Sequence, residues 1–111
     1  MKELLSSAEK LADEELKRSY EKFPAFNSPH EGYAVLLEEI DEHEDDTQYI
    51  RVDKNTLWNA VKKNDKELSV AAINALKRDA LHAAAEAIQV AAMAQKFIDS
   101  GCAGKSEKNE P

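Results

Sequence analysis

The chain has 111 residues, the size of one domain that buries roughly two-thirds of its unfolded surface. Its 22 acidic residues outnumber 15 basic ones, giving a formal net charge of -7. That balance excludes direct attraction to nucleic-acid phosphates or anionic lipid, while leaving room for carboxylates that recruit phosphates through a divalent cation. A single cysteine, Cys102, excludes an intramolecular disulfide, and no long apolar run suggests a signal peptide or a membrane span; a reducing, cytoplasmic setting is expected.

The first helix is expected from about Lys2 to Lys22, where Leu4, Leu5, Ala8, Leu11, Ala12 and Leu16 recur at three- and four-residue spacing. Phe23-Pro24-Ala25-Phe26-Asn27 ends it. A second helix starts at a clear punctuation: Ser28 as N-cap, Pro29 in the first turn and Glu31 completing an S-x-x-E capping box. It is expected to run to about Asp46, with Tyr33, Leu36, Leu37 and Ile40 on its apolar side. Asp45 to Lys54 reads as a connection, and within it only Gln48 to Val52 hints at strand alternation. Asn55 or Thr56 then caps a short third helix carrying Leu57, Trp58 and Val61, and Asn64-Asp65 supplies a turn and a new cap.

The last helix is expected from Lys66 to Asp99. At about 1.5 Å per residue it would span about 50 Å, roughly twice the diameter of a compact domain of this size, so it must kink, break or pack on another subunit. Its many alanines, with Val90, Met93 and Phe97 on a second apolar face, predict burial on both sides. The fold expectation is therefore an all-α, four-helix-bundle-like domain over residues 1–100, completed by homo-oligomerisation, with a disordered tail over 101–111.

Two constellations carry candidate chemistry. In the second helix Glu31, Glu38, Glu42 and Asp45 share one sector, with Glu39 beside it. Like charges at i,i+4 repel unless compensated, so the face is either simply solvated or holds a hard cation. In the last helix Asp79, His82, Glu86 and Gln89 form a polar strip within an Ala/Ile/Val run. A carboxylate at Glu86 must be paired, bind a cation or face water. His82, one turn earlier, is a structural or exposed histidine, or a partner to a metal ligand. Trp58, Tyr33, Phe23 and Phe26 could stack on a nucleobase, but aromatics at helical or linker positions are more often core or staple residues and none is assigned; no P-loop, G-x-S-x-G, H-E-x-x-H or Cys/His zinc spacing occurs.

The string Glu38-Glu39-Ile40-Asp41-Glu42, followed a helix later by Glu86-Ala87-Ile88-Gln89, resembles the E-E-x-x-E and E-x-x-D motifs of MazG-like all-α NTP pyrophosphatases, in particular the short phage and prophage members. The likeness covers about Phe23 to Ile98. It implies a Mg²⁺-dependent (or Mn²⁺-dependent) hydrolysis of a nucleoside triphosphate to the monophosphate and pyrophosphate in a dimer or tetramer. The metal ligands would be Glu38, Glu39, Glu42, Glu86 and Gln89, and Glu39 or Glu42 would activate water. Gln89 departs from the pattern, since an amide offers a carbonyl oxygen but no charge. The alternative reading is a non-catalytic helical oligomer of the same fold, acting in assembly or regulation; a bundle with no metal at all is a third.

Overall fold

The computed structural model describes residues 1–104, and among them every regular element is helical: α1 (Lys2–Lys22), α2 (Pro29–Lys62) and α3 (Lys66–Asp99). The all-α expectation holds, with three helices in place of four. The expected connection over Asp45 to Lys54 and the short helix after it are both part of α2, which continues without a break to Lys62. Residues 105–111 of the expected tail lie outside the described residues, whereas 101–104 form turns.

The helix ends follow from local chemistry. Ser28 Oγ accepts from the Glu31 backbone N–H at 3.1 Å, as a capping box requires. The return bond departs from the pattern: the Glu31 carboxylate reaches the backbone N–H and the side-chain amide of Asn27 instead of the cap residue. At the other end of α2, Asp65 N–H donates to the Ala60 carbonyl and Asn64 N–H to that of Val61, with Asn64 at φ 55. This is a Schellman closure with asparagine in the left-handed position, which a short polar side chain tolerates better than most. Asp65 then caps α3, its Oδ1 accepting from Leu68 N–H at 3.0 Å. A second Schellman closure ends α3, where Gly101 at φ 76 lets Cys102 N–H reach the Phe97 carbonyl.

The described chain divides into two compact units, Met1–Ile40 with the chain from Ala87 onward, and Asp41–Glu86. In the first unit the seam side of α1 is Ala8, Ala12, Leu16 and Ser19, while Leu4, Leu5 and Leu11 of the expected stripe are exposed. Phe26 N–H donates to Ser100 Oγ, tying the α1–α2 link to the end of α3. Gly32 is buried where a Cβ would meet the rings of Phe97 at 2.8 Å and Phe26 at 3.0 Å, so close approach explains the glycine.

The second unit is a helical hairpin turning at Asn64. Its buried apolar side chains are only Ala60, Ala72 and Ala83, small residues that let two helices approach closely. Ile50, Leu57, Ala75 and Leu76 are half-buried along the same hairpin, and Asp46, Asp53, Asp79 and Glu86 interrupt them with acids. Glu42 meets Glu86 and Asp46 meets His82, each pair standing equally far in sequence on either side of Asn64, as an antiparallel hairpin demands.

Candidate metal centre

Asp46 and Glu42 lie one turn apart on α2, and His82 and Glu86 one turn apart on α3, so the hairpin brings four ionisable groups of the second unit onto one seam. Asp46 is buried, and its Oδ2 sits 2.9 Å from Nδ1 of the largely exposed His82. That hydrogen bond, together with the Asp46 charge, raises the His82 pKa above its usual value. Burial raises the pKa of the half-buried Glu86, and the hydrogen bond and charge of Glu42 push it the same way. A hydrogen bond between two carboxyl groups requires one of them to keep its proton. Even so, Glu86 Oε2 is buried with no partner.

Asp46, His82 and Glu86 each offer one atom within 4.8 Å of the other two, close enough to hold a single cation. The donor chemistry fits such an ion. Two carboxylates supply charge, and Glu86 Oε2 is the kind of orphaned acceptor that a cation would satisfy. The imidazole nitrogen makes the set better suited to a transition-metal ion than to Mg²⁺, which prefers oxygen.

Of the residues singled out from sequence, Glu42 and Glu86 therefore face each other in this hairpin. Glu38, Glu39 and Gln89 belong to the first unit, where all three line a cavity of about 730 Å³. Gln89 is engaged there: its Nε2 donates to Glu15 Oε2 at 2.8 Å, while Arg18 Nε holds the other Glu15 oxygen at 2.7 Å. Glu31 is exposed and tied to Asn27, and Asp45 points away from the seam while its neighbour Asp46 enters it.

The chain matches no family model, no curated protein and no solved structure. Residue chemistry and geometry are thus the basis for its function. Two participants escape the motif reading. Asp46 stands one turn beyond Glu42, a position legible only once α2 is known to continue past it. Glu15 looks like an ordinary surface acid on an amphipathic helix, and no sequence signal marks it as the partner of Gln89.

A further acidic pair lies nearer the hairpin turn. Asp53 and Asp79 share a hydrogen bond that raises the Asp53 pKa and lowers that of Asp79, with Arg78 donating to Asp79. Along one seam the protein has thus placed two carboxyl pairs, each stable only if a proton or a cation stands between its members.

Proposed function

We propose that the chain is a divalent-metal-dependent nucleoside triphosphate pyrophosphohydrolase, converting an NTP or dNTP to the monophosphate and pyrophosphate as a cytoplasmic homo-oligomer. The observation that carries this reading is the Glu86 carboxylate, held against Glu42 and Asp46 with one buried oxygen unpartnered. Repelling acids in an alanine-lined seam are costly unless a cation compensates them. The same residues, Glu42 and Glu86, stand in the two motifs that resemble the MazG-like pattern.

When bound, the ion supplies Lewis-acid polarisation of a phosphoryl oxygen and neutralises charge that develops on the leaving pyrophosphate. Glu86, Asp46 and His82 would hold it, and Glu42 is the further acid beside Glu86, while Glu38 and Glu39 of the motif belong to the first unit. Glu42 would orient a water and take its proton as the water oxygen bonds to the α-phosphorus and the α–β bridge breaks. Calorimetric titration with Mn²⁺ and Mg²⁺, beside a pyrophosphate-release assay on the common nucleotides, tests this. Saturable binding is expected, tighter for Mn²⁺ than for Mg²⁺. Glu86→Gln and Glu42→Gln should each abolish turnover while keeping helicity; full turnover in either variant removes that residue from the site.

One observation favours a second reading, a non-catalytic oligomer of the same fold. Gln89 stands where the resembling motif has an aspartate, and its amide is committed to Glu15. Gln89→Asp alone would set two carboxylates against each other, so the informative variant combines it with Glu15→Gln. A large gain in hydrolysis in the double variant marks a weakened catalyst; no hydrolysis in either form favours the non-catalytic oligomer.

A further inference from the structure

A second stripe runs along α2 that neither the hairpin nor the metal reading uses. The seam residues Asp46, Ile50, Asp53, Leu57 and Ala60 recur at alternating four- and three-residue steps. The residues one further on, Thr47, Arg51, Lys54, Trp58 and Val61, repeat that pattern about 100° round the helix. The stripe continues back through Glu44, Ile40, Leu37 and Tyr33 without a missed step. A period of 3.5 residues sustained from 33 to 61 is the mark of a helix that pairs along its length. Yet the stripe is open: Trp58 is 60% exposed, Tyr33 59%, Val61 50% and Leu37 39%, Ile40 is half-buried, and its four polar members are exposed. Among the described residues none of Glu44, Arg51 and Lys54 has an ion-pair partner.

The order of residues along the stripe points to what covers it. They stand in pairs at equal distances on either side of Tyr49: Thr47 with Arg51, Glu44 with Lys54, Ile40 with Trp58, and Leu37 with Val61. A second α2 laid antiparallel, with a two-fold axis at this level, sets apolar on apolar at both ends and acid on base nearer the middle, each twice over. Parallel pairing in register would set Glu44, Arg51 and Lys54 each against its own like charge. Thr47 brings no unmatched donor to the axis, since its hydroxyl donates to the Glu44 carbonyl at 2.8 Å. A polyanion would suit Arg51, Lys54 and Lys62, but it would leave Leu37, Ile40 and Glu44 without a role.

We propose that this stripe is a homodimer interface, packed antiparallel on the same stripe of a second copy, with Ile40 against the partner's Trp58 and Glu44 against the partner's Lys54. The proposal deepens the homo-oligomer of the functional reading and rests on that part of it alone; neither metal nor nucleotide enters. Asp46 stands three residues from the axis, so the dimer holds both candidate metal centres near its middle.

The test reads the full chain by sedimentation equilibrium and by the emission of Trp58, its sole tryptophan. Wild type is expected to sediment as a dimer or a multiple of one, with emission moving to shorter wavelength as rising concentration covers the indole. Glu44→Lys and Lys54→Glu, both exposed and outside the metal centre, should each raise the dissociation constant about tenfold by setting like charges across the axis. Their equimolar mixture regains opposite charges in a heterodimer and should associate as wild type does. A monomeric wild type, an oligomer whose Trp58 emission ignores concentration, or a mixture no tighter than its components would overturn the proposal. Emission that shifts only on addition of a thymidine oligonucleotide would overturn it too, assigning the stripe to a polyanion. Should either variant lose helicity by circular dichroism, the wild-type emission still decides. Dimers without hydrolysis in Mn²⁺ sink the catalytic reading alone, whereas hydrolysis by a monomer sinks this interface alone.

Discussion

Glu86 and His82 titrate in a way that ties stability to pH. Burial, then Glu42, raises the Glu86 pKa, so the folded chain holds a proton there that the unfolded chain has already released; this contribution is present at low pH and is lost as pH rises through the folded value. The raised pKa of His82, paired with Asp46, acts in the same direction, with its contribution complete below the unfolded value and lost as pH climbs through the higher folded one. The exposure of His82 makes its share the smaller. Protein kept in chelator is therefore expected to melt higher at pH 6 than at pH 8.5, and Mn²⁺ should narrow the gap by replacing the proton. A melting temperature that rises between those pH values in chelator would contradict the assignment. By the same logic Glu86→Gln, a neutral isostere, should raise metal-free stability at pH 8 by about 1 kcal/mol, roughly 5 °C, and remove the stabilisation by Mn²⁺.

Gly32 gives a second prediction at this scale. A methyl placed there meets the Phe97 and Phe26 rings at or below 3.0 Å, so Gly32→Ala should cost about 1–3 kcal/mol despite the better helix propensity of alanine. Chemical denaturation checks it, and a neutral or stabilising result would mean that the rings yield.

Among the elements, the turn at Asn64-Asp65 holds the hairpin register and hence the meeting of Glu42 with Glu86. Asp65→Ala removes the cap of α3 and should cost about 1 kcal/mol. The same turn shows what a sequence can reveal. Ser28, Pro29 and Asp65 mark helix starts through side-chain chemistry within three residues, so the starts of α2 and α3 were legible. The middle of α2 was not, because helix recognition depends on an apolar stripe and the stripe there, Asp46, Ile50, Asp53, Leu57 and Ala60, is interrupted by two acids. A polar run such as Glu44-Asp45-Asp46-Thr47-Gln48 reads as a connection when its partners stand far along the chain. One of the three residues of the candidate metal centre vanished from view for that reason, Asp46 being taken for a helix end. Glu42 and Glu86 remained visible through motif spacing, and Glu86 with His82 also through their place within an Ala/Ile/Val run.

For the molecule as a whole, the large apolar residues left exposed call for a covering surface. In the hairpin unit Val70, Ile73 and Leu81 of α3 are each about half exposed or more, on the side of the helix turned away from Ala72 and Ala83. Two helices whose fully buried apolar residues are all alanines bury little area, and a second copy laid on this face would add to it. Sedimentation equilibrium is expected to give at least twice the mass of a single chain, and Ile73→Glu with Leu81→Glu to shift it towards the monomer. A monomeric wild type would remove the oligomer from the proposal. No described helix is long and apolar enough to cross a membrane.

Cys102 offers one practical handle. Its thiol is half-buried and donates to the Ser28 carbonyl at 3.5 Å, just past the Schellman closure of α3 and against the cap of α2. A maleimide reaches that sulfur faster when the closure opens. Since no other cysteine exists in the chain, the alkylation rate of the unmodified protein becomes a stopwatch for local fraying at the junction of two helix ends.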